Sequence, residues 1–271
     1  MPELPEVETS RRGIEPHLLN QKIINITIRQ HKLRWPIPNN LPQLATGKTI
    51  RAVSRRAKYI FIELDNGTII IHLGMSGSLR ICTHKIPAEK HDHIDIQVSN
   101  NKILRLRDPR KFGCVLWAKD TVSEHRLIKL LGPEPLGDTF TAQYLYDNAK
   151  KRTCSIKAFI MNSHIVVGVG NIYASEALFR AGINPKRKAG NISLTRIYKL
   201  VDAIKKTLTA AINEGGTTLR DFTGAEGNPG YFSQKLLVYG RKDESCTRCK
   251  QPIKQFTQQA RSTFYCSKCQ K

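Results

Sequence analysis

The chain opens with a proline beside carboxylates, a combination suited to amine chemistry. Pro2 follows Met1, and Glu3 and Glu6 lie within four residues of it. Removal of Met1 would leave Pro2 with a free α-amine, whose pKa of about 7.7–8.0 keeps part of it uncharged at neutral pH. Such an amine can attack a carbonyl-like carbon, and a carboxyl whose pKa is raised can supply the proton. The alternative is that this segment only begins a helix, because Pro5 and acidic residues favour a first turn.

Four of the seven cysteines form two closely spaced pairs near the C-terminus. The pairs are Cys246-x2-Cys249 and Cys266-x2-Cys269, with sixteen residues between them. This spacing predicts a zinc ribbon, in which four thiolates bind one structural Zn²⁺ tetrahedrally. Unrelated buried or redox cysteines are the alternative, and the odd total argues against a disulfide framework. Core packing is expected for the remaining three: Cys82, Cys114 and Cys154.

The charge of the chain indicates a polyanionic partner. Lys and Arg number 44 against 22 Asp and Glu, which leaves a net charge of +22 and a pI near 9.9. DNA or RNA is the expected partner, although a ribosomal protein or a membrane-surface binder would also be basic. The 40% of hydrophobic residues excludes wholesale disorder, collagen and coiled coils. A length of 271 residues suggests about two domains.

Membrane insertion and secretion are not expected from the sequence. No uncharged apolar run approaches the roughly 18–20 residues that a membrane helix needs. The chain starts with acidic residues and has no apolar core there, unlike a signal peptide. We therefore expect a soluble, cytoplasmic protein.

The first half of the chain is predicted to be rich in strands. A short helix at the start is expected to break at Gly13 and Pro16. Alternating isoleucines at 24, 26 and 28 predict a half-buried strand. A hairpin is predicted around a turn at Asn66-Gly67, which would place Lys58 opposite Met75.

A second hairpin is predicted around Asn100-Asn101. With those two residues as the loop, His91 lies opposite Arg110. A single bulge would shift either register. Both hairpins nevertheless gather Lys, Met, His and Arg at strand ends, where functional sites are commonly built.

The second half is predicted to be helical. Two prolines and a glycine at 131–136 indicate a linker. Short helices are expected over 157–161 and 172–179, the latter capped by Asn171, and a long one over 194–211. The glycine-rich stretch 217–231 is expected to be a mobile loop. The predicted domains are 1–131, a linker at 132–137, a helical domain at 138–236 and a zinc finger at 237–271.

Eight motifs occur in an order that resembles one family, the bacterial formamidopyrimidine-DNA glycosylases, which excise 8-oxoguanine. The match extends from residue 2 to residue 270. Each motif is weak by itself, whereas the series is specific. The motifs are PELPEVET at 2–9, Lys58, HLGMSG at 72–77, KHDH at 90–93, DPRKFG at 108–113, LGPEPL at 131–136, GVGNIYASE at 168–176 and the four cysteines.

The resemblance implies a fold and an activity. The fold is α+β, with an N-terminal β-sandwich and flanking helices, then a C-terminal helical domain with a helix-two-turn-helix motif and a zinc-ribbon β-hairpin. The activity is excision of oxidised purines from duplex DNA, followed by β,δ-elimination at the abasic site. One structural Zn²⁺, a damaged DNA duplex as partner and a monomeric state are also implied.

Residue roles follow from the same resemblance. Pro2 is the expected nucleophile, Glu3 the proton donor that opens the sugar ring, and Glu6 a supporting carboxylate. Lys58 would assist β-elimination and hold a phosphate. Arg261 would serve phosphate binding and δ-elimination.

The expected DNA contacts come from both halves of the chain. Asn171 would present helix amides to a phosphate, and Arg152 stands where the family usually has Lys. Because the damaged base must leave the stack, side chains have to fill the gap. Met75, Arg110 and Phe112 are the candidates, although core packing is the alternative for the two apolar ones. Loop 217–231 would cover the extruded base. The full set of expected DNA contacts is His72, His91, Arg110, Arg152, Lys157 and Asn171.

Two other interpretations compete with a glycosylase for oxidised purines. Endonuclease VIII-like enzymes act on oxidised pyrimidines, but they typically begin Pro-Glu-Gly-Pro-Glu and lack the Arg-Lys-Phe segment. Leu4 and Phe112 therefore favour the purine enzymes. A non-catalytic zinc-ribbon DNA-binding protein would explain the charge and the cysteines, but it gives no reason for Pro2 and its two carboxylates.

Overall fold

The structure, a computed structural model, describes residues 2–119, 121–216 and 235–271. These residues form two compact units. The first takes in 2–119, 121–129 and 214–216, and the second 130–213 and 235–271. The predicted covering loop at 217–231 lies outside the described residues, and the predicted domain boundaries stay predictions. None of the described helices combines the length and the apolar character that crossing a membrane requires.

The first unit is a β-sandwich with flanking helices, as predicted. Its antiparallel sheets have the strand orders β1-β6-β7-β5 and β2-β3-β4-β8. Isoleucine, leucine and valine side chains from both sheets, from α1 and from α2 share one buried core. Its elements are α1 (Leu4–Leu18), β1 (Ile23–Ile28), α2 (Leu41–Ala45), β2 (Ile50–Arg56), β3 (Tyr59–Leu64), β4 (Gly67–His72), β5 (Ser78–Thr83), β6 (Asp92–Val98), β7 (Lys102–Arg107) and β8 (Cys114–Ala118).

Two local predictions in this unit are wrong. Helix α1 does not break at Gly13 or Pro16 but continues to Leu18. Because Ile14 and Leu18 are completely buried, we attribute the continuation to their packing, which outweighs the cost of a proline in the last turn. Strand β1 does not alternate as expected, since its pairing with β6 shifts after Ile23 and leaves Ile24 45% exposed.

The first hairpin turns one residue earlier than predicted. Residues 65–66 form the turn, and Gly67 is already the first residue of β4. A Cβ built on Gly67 would lie 2.4 Å from the Trp117 ring, and its φ of +154° favours glycine. The indole therefore requires glycine inside the strand rather than in the turn. The predicted pairing of Lys58 with Met75 is wrong for this reason.

The second hairpin also differs from its predicted register. Gln97 pairs with Ile103, so the loop has three residues, 99–101, instead of two. Asn101 has a φ of +62°, as the last residue of such a loop commonly does. The shift moves His91 away from Arg110. The carbonyl of His91 instead accepts the backbone N–H of Asp108 at 3.0 Å.

The second unit contains the predicted helices and a C-terminal hairpin. Helix α5 begins directly after Gly170 and ends at Gly182 in the left-handed conformation. Of the three remaining cysteines, two are buried as expected, whereas Cys154 is exposed. The elements are α3 (Ala142–Ala149), α4 (Ile156–Ile160), α5 (Asn171–Ala181), α6 (Leu194–Asn213), β9 (Lys254–Gln258) and β10 (Arg261–Tyr265).

Candidate functional site

The N-terminus of α1 holds two buried carboxylates directly after Pro2. Glu3 is the N-cap residue, and its carboxylate accepts the backbone N–H of Glu6. The Glu6 carboxylate in turn accepts the backbone N–H of Glu3 at 2.8 Å. This reciprocal capping box satisfies two backbone donors at once. Pro2 is buried, and Glu3 and Glu6 are 2% and 0% exposed. The segment begins a helix and also fixes two acids beside the proposed nucleophile.

The chain returns to this site after α6. A Cβ built on Gly216 would lie 3.1 Å from Oε1 and 3.2 Å from Cγ of Glu6. The backbone at Gly216 therefore packs directly on the Glu6 carboxyl group. No spacing pattern in the sequence indicates this contact, because Glu6 and Gly216 are 210 residues apart.

Arg55 connects α1 to the turn that carries Lys58. Its Nε donates to Glu8 Oε2 at 3.0 Å, and its Nη1 donates to the carbonyl of Ala57 at 2.7 Å. Lys58 is half-buried and follows Ala57, whose φ is +56°. One guanidinium thus connects α1, whose N-cap is Glu3, to the turn that carries the lysine.

Glu8 is the centre of an arginine cluster. Arg11, Arg12 and Arg55 lie 3.0, 2.7 and 3.0 Å from its carboxylate oxygens. Burial acts to raise the pKa of Glu8, but hydrogen bonds from the arginines outweigh it and lower that pKa below its ordinary value. Glu8 is therefore charged at neutral pH and stabilises the arrangement of α1 and the Lys58 turn.

His72, at the end of β4, is neutral at physiological pH. Burial, followed by the charges of Lys58 and Arg34, lowers its pKa to about 4. Its Nδ1 accepts the backbone N–H of Gly74 at 2.9 Å. The neutral ring therefore carries its proton on Nε2. His72 can offer one N–H donor to an anionic ligand, but not a positive charge.

The three predicted gap-filling side chains are exposed. Met75 is 37% and Phe112 44% exposed, so the alternative of core packing for these two residues is wrong. Arg110 is exposed too, and its guanidinium carbon lies 5.1 Å from the centre of the Phe112 ring. His91 is half-buried, with its ring centre 6.4 Å from that of His93.

In the second unit, the side chain of Asn171 does not cap its helix. Gly170 is the N-cap, and Asn171 is the first helical residue. Its Oδ1 accepts a hydrogen bond from Lys157 Nζ at 2.6 Å, and its Nδ2 donates to the carbonyl of Ser262 at 2.9 Å. The expectation of an ordinary asparagine cap is therefore wrong. Asn171 instead connects α4, α5 and the C-terminal hairpin.

Lys157 is almost completely buried, at 2% exposure. Besides Asn171, its ammonium donates to Thr263 Oγ1 at 2.7 Å and to the carbonyl of Ser262 at 3.3 Å. Arg261 opens β10 next to these residues and is exposed, as is Arg152 after α3. The predicted cations thus divide into a buried lysine that orders the hairpin and exposed arginines available to a ligand.

The four C-terminal cysteines form a cluster with metal-binding geometry. Their sulfur atoms all lie within 4.8 Å of one another. Cys246 Sγ is 3.9 Å from Cys269 Sγ, and Cys249 Sγ is 3.4 Å from Cys266 Sγ. Sulfurs at about 2.3 Å from a tetrahedral ion lie about 3.8 Å apart, so this set fits zinc.

Several residues of these sites were missed by the sequence analysis. Glu176, on α5, accepts three backbone N–H bonds at 2.9 Å, from residues 237, 238 and 239. Ser76 and Asp108 are buried beneath the exposed Met75 and Arg110 loops. Ser76 lies inside the HLGMSG motif and Asp108 inside the DPRKFG motif. Their roles depend on partners far away in the chain, which no spacing pattern displays.

Comparisons with known proteins agree along the whole chain. The family model described as formamidopyrimidine-DNA glycosylase N-terminal domain matches residues 1–115, and the one described as its H2TH domain matches residues 131–223. A formamidopyrimidine-DNA glycosylase of Marinobacter nauticus is 55% identical over 271 residues, covering 100% of both chains.

Solved structures of similar proteins share the fold over the full length of this chain. A Lactococcus lactis FPG variant in complex with DNA containing Fapy-dG superposes with a TM-score of 0.93 at 36% identity, covering 100% of both chains. A MutM complex with DNA containing carbocyclic 8-oxo-G gives a TM-score of 0.92 at 36% identity, again over 100% of both chains. Two matching family models and a full-length relative at this identity leave one conclusion, that this chain belongs to the formamidopyrimidine-DNA glycosylase family.

Proposed function

We propose that this protein excises oxidised purines, 8-oxoguanine and formamidopyrimidines, from duplex DNA and then cleaves the abasic strand. The observation that carries the proposal is the capping box, which buries Glu3 and Glu6 directly beside Pro2. The DNA complexes of similar proteins, with Fapy-dG and with carbocyclic 8-oxo-G, support this choice of substrate.

The chemistry begins at the Pro2 nitrogen. Once Met1 is removed, the uncharged amine attacks C1′ of the damaged nucleotide, and the bond from C1′ to the base breaks with its electron pair leaving on the base. The proton that the amine loses balances the proton that the departing base takes up. Opening of the sugar ring gives an iminium between Pro2 and C1′. Loss of a proton from C2′ then expels the 3′ phosphate, and a second elimination expels the 5′ phosphate. Hydrolysis of the iminium releases the remaining sugar fragment and regenerates the amine.

Glu3 supplies the proton that opens the sugar ring. Its side chain is almost completely enclosed by protein, at 2% exposure, and the capping box holds it in place, so the proton donor is fixed beside the nucleophile. The Glu6 carboxylate accepts the backbone N–H of Glu3 at 2.8 Å and so keeps Glu3 at the first turn of α1. Glu6 therefore acts as a positioning residue.

Lys58 assists the first elimination and binds a phosphate, and Arg261 assists the second. Lys58 is fixed relative to α1 through Arg55 and Glu8. His72 adds a neutral N–H donor beside Lys58, which avoids repulsion between two cations.

The DNA interface combines phosphate contacts with gap-filling side chains. His91, Arg152 and the helix amides at Asn171 contact the backbone, and Lys157 acts by holding Asn171. Met75 and Phe112 replace the extruded base, and Arg110 pairs with the orphaned cytosine. Their exposure supports these roles, because exposed apolar side chains on well-anchored loops are suited to a partner.

The cysteine cluster holds one Zn²⁺, bound by the residues at 246, 249, 266 and 269. When bound, the ion crosslinks the two cysteine pairs and stabilises the hairpin that carries Arg261. We further propose that the protein works as a monomer in the bacterial cytoplasm, since one flipped nucleotide needs one active site.

Borohydride trapping on a duplex with one 8-oxoguanine tests the proposal. Wild-type protein should give a covalent adduct that maps by mass spectrometry to Pro2, and Pro2→Gly should lose most of it. Glu3→Gln should lose base release by a factor of about 10²–10⁴, the usual contribution of a positioned acid. Because glutamine still accepts the Glu6 N–H, the helix start should survive. Fully active protein that retains Met1 would overturn the proposal.

A competition assay tests the substrate class. Duplexes carrying 8-oxoguanine and thymine glycol are mixed at equal concentration, and release of each base is followed. Faster release from 8-oxoguanine is expected. Faster release of thymine glycol would assign the protein to oxidised pyrimidines.

A further inference from the structure

A buried acid lies beneath the loops that carry the exposed Met75, Arg110 and Phe112. Asp108 is 0% exposed, and it contacts Ser76, which is 5% exposed. The Ser76 hydroxyl donates to Asp108 Oδ1 at 2.9 Å. Each of the two lies next to or two residues away from an exposed side chain, which indicates a role in holding these loops.

Each polar atom of this pair holds a different segment. Asp108 Oδ2 accepts the backbone N–H of Gly113 at 2.7 Å, directly after Phe112. Ser76 Oγ accepts the backbone N–H of Arg110 at 3.2 Å. One carboxylate and one hydroxyl therefore fix the backbone beside all three gap-filling residues, because Ser76 itself follows Met75.

The backbone of Asp108 extends the same network to the histidines. Its N–H donates to the carbonyl of His91 at 3.0 Å, and its carbonyl lies 2.9 Å from His93 Nε2. His91 is one of the proposed phosphate contacts. Asp108 thus joins the proposed backbone contact to the gap-filling loops.

The two loops also interlock without side chains. A Cβ built on Gly74 would lie 2.4 Å from Gly113 N and 2.4 Å from the carbonyl carbon of Phe112, and Gly74 has a φ of +63°. Only glycine allows this approach without moving backbone. The hydrogen bonds from Ser76 and Asp108 therefore act on loops that are already in contact, and they set the register between them.

We propose that the Asp108–Ser76 pair is a positioning device that preorganises Met75, Arg110 and Phe112 for insertion into the duplex. The inference rests on the proposed role of those three residues. Insertion needs a rigid support, because side chains on loose loops lose binding free energy to ordering. The pair acts before chemistry, at the step in which the damaged base leaves the stack.

Ser76→Ala is the most informative variant, because it removes one small hydroxyl. It frees the Arg110 N–H and one oxygen of Asp108. Asp108→Asn is milder: its carbonyl still accepts the Gly113 N–H, and the Ser76 hydroxyl can rotate to accept from the new amide. Ser54→Ala is the matched control, because Ser54 donates to Glu63 at 2.5 Å elsewhere in the same sandwich.

The measurement is single-turnover excision of 8-oxoguanine opposite cytosine and opposite adenine, with melting temperatures in parallel. We expect Ser76→Ala to slow excision opposite cytosine about tenfold, the effect of one buried hydrogen bond of about 1.4 kcal/mol. Excision opposite adenine should slow less, because Arg110 loses its orientation toward cytosine. Asp108→Asn should lose about threefold, and Ser54→Ala should stay at the wild-type rate.

The outcomes separate this inference from the function it rests on. Equal losses in Ser76→Ala and Ser54→Ala, following melting temperature only, would show a purely structural hydroxyl and overturn the inference. Wild-type rates in Arg110→Ala and Phe112→Ala would instead refute the proposed gap-filling role. Impaired Arg110→Ala and Phe112→Ala with wild-type Ser76→Ala would refute the positioning device alone.

Discussion

The proposed catalytic end of the first unit and the cysteine hairpin of the second are stabilised in opposite ways. Around Pro2, a capping box, an arginine cluster on Glu8 and a large core shared by two sheets hold the site. Among the residues that the structure describes, six buried side chains form the core around the hairpin, and two of them are Cys246 and Cys266. One region is built from side chains that pair with each other, and the other around four cysteines with metal-binding geometry.

This difference separates the two parts of the proposed reaction. In that proposal, base release depends on groups held within the first unit, such as Glu3. Phosphate binding by Arg261 would depend on a hairpin that bound Zn²⁺ stabilises, because a structural zinc site contributes its binding free energy to folding. Treatments that remove the ion should therefore act on the second region and spare the first.

Removal of zinc is expected to have the largest effect. Chelation, or Cys246→Ser, should unfold the hairpin and lower the affinity for lesion DNA by at least about 10²-fold, since apparent zinc binding free energies are about 10–16 kcal/mol. Hydrogen exchange should show lost protection over β9 and β10 and unchanged protection over β3 and β4. Cys154→Ser is the control, because Cys154 is exposed and outside the cluster.

Retention of wild-type DNA affinity in metal-free protein would contradict the comparison. It would show that the hairpin, like the first unit, is stable through its own side chains. If both units unfolded together on metal removal, the stability of the first unit would also depend on the metal, and this result too would contradict the comparison.

The stability of the first unit should depend on pH rather than on metal, because of His72. Its folded pKa is about 4, against an ordinary value of 6.5. Between these two pH values His72 is protonated in the unfolded chain but not in the folded chain. The free energy of unfolding therefore falls as the pH drops from 6.5 to 4. The loss should reach about 2–3 kcal/mol, since each pKa unit corresponds to about 1.4 kcal/mol.

Urea unfolding of the first unit at pH 7 and pH 4.5 measures this loss. His72→Asn should remove most of the difference between the two pH values, because asparagine does not titrate. His84→Asn should leave it in place, since His84 is exposed. An unchanged pH dependence in His72→Asn would exclude the histidine as its source.

The sequence predicted what depends on neighbouring residues. The acids beside Pro2, the C-x-x-C pairs and the helices α4, α5 and α6 all have short-range signals, and the structure contains each of them. The fold class was confirmed as well. A resemblance spread over the whole chain made the family recognisable, although no single motif would have done so.

Several of the failures involve contacts between distant residues. The first hairpin turned early because Trp117 packs on Gly67, fifty residues away in sequence. Asn171 looked like a helix cap, but Lys157 and Ser262 hold its side chain. The Asp108–Ser76 pair has no signature at all in the spacing of its residues, because its partners come from three loops. Tertiary packing decided these details, and local propensity did not.

Glu8 should give the smallest effect, and it tests whether the first unit depends on paired charges. The pKa of Glu8 is lowered, so its contribution to stability is complete above the ordinary carboxyl pKa of about 4.3 and is lost as pH falls through the folded value. At pH 7, Glu8→Gln should cost about 1.5–2 kcal/mol, the lower end of the usual range for hydrogen bonds to charged groups, because one of the three arginines, Arg12, is 56% exposed. The difference from wild type should vanish in strong acid.

Glu15→Gln is the matched control for this cluster. Glu15 lies on the same helix and pairs with Arg11 at 2.7 Å, but its side chain is 37% exposed. An exposed pair should contribute less than about 1 kcal/mol. Chemical denaturation of both variants across pH 3–7 measures the contrast. Equal and pH-independent losses would show that the arginine cluster acts through packing alone, and the first unit would then resemble a simple apolar core more than a network of paired charges.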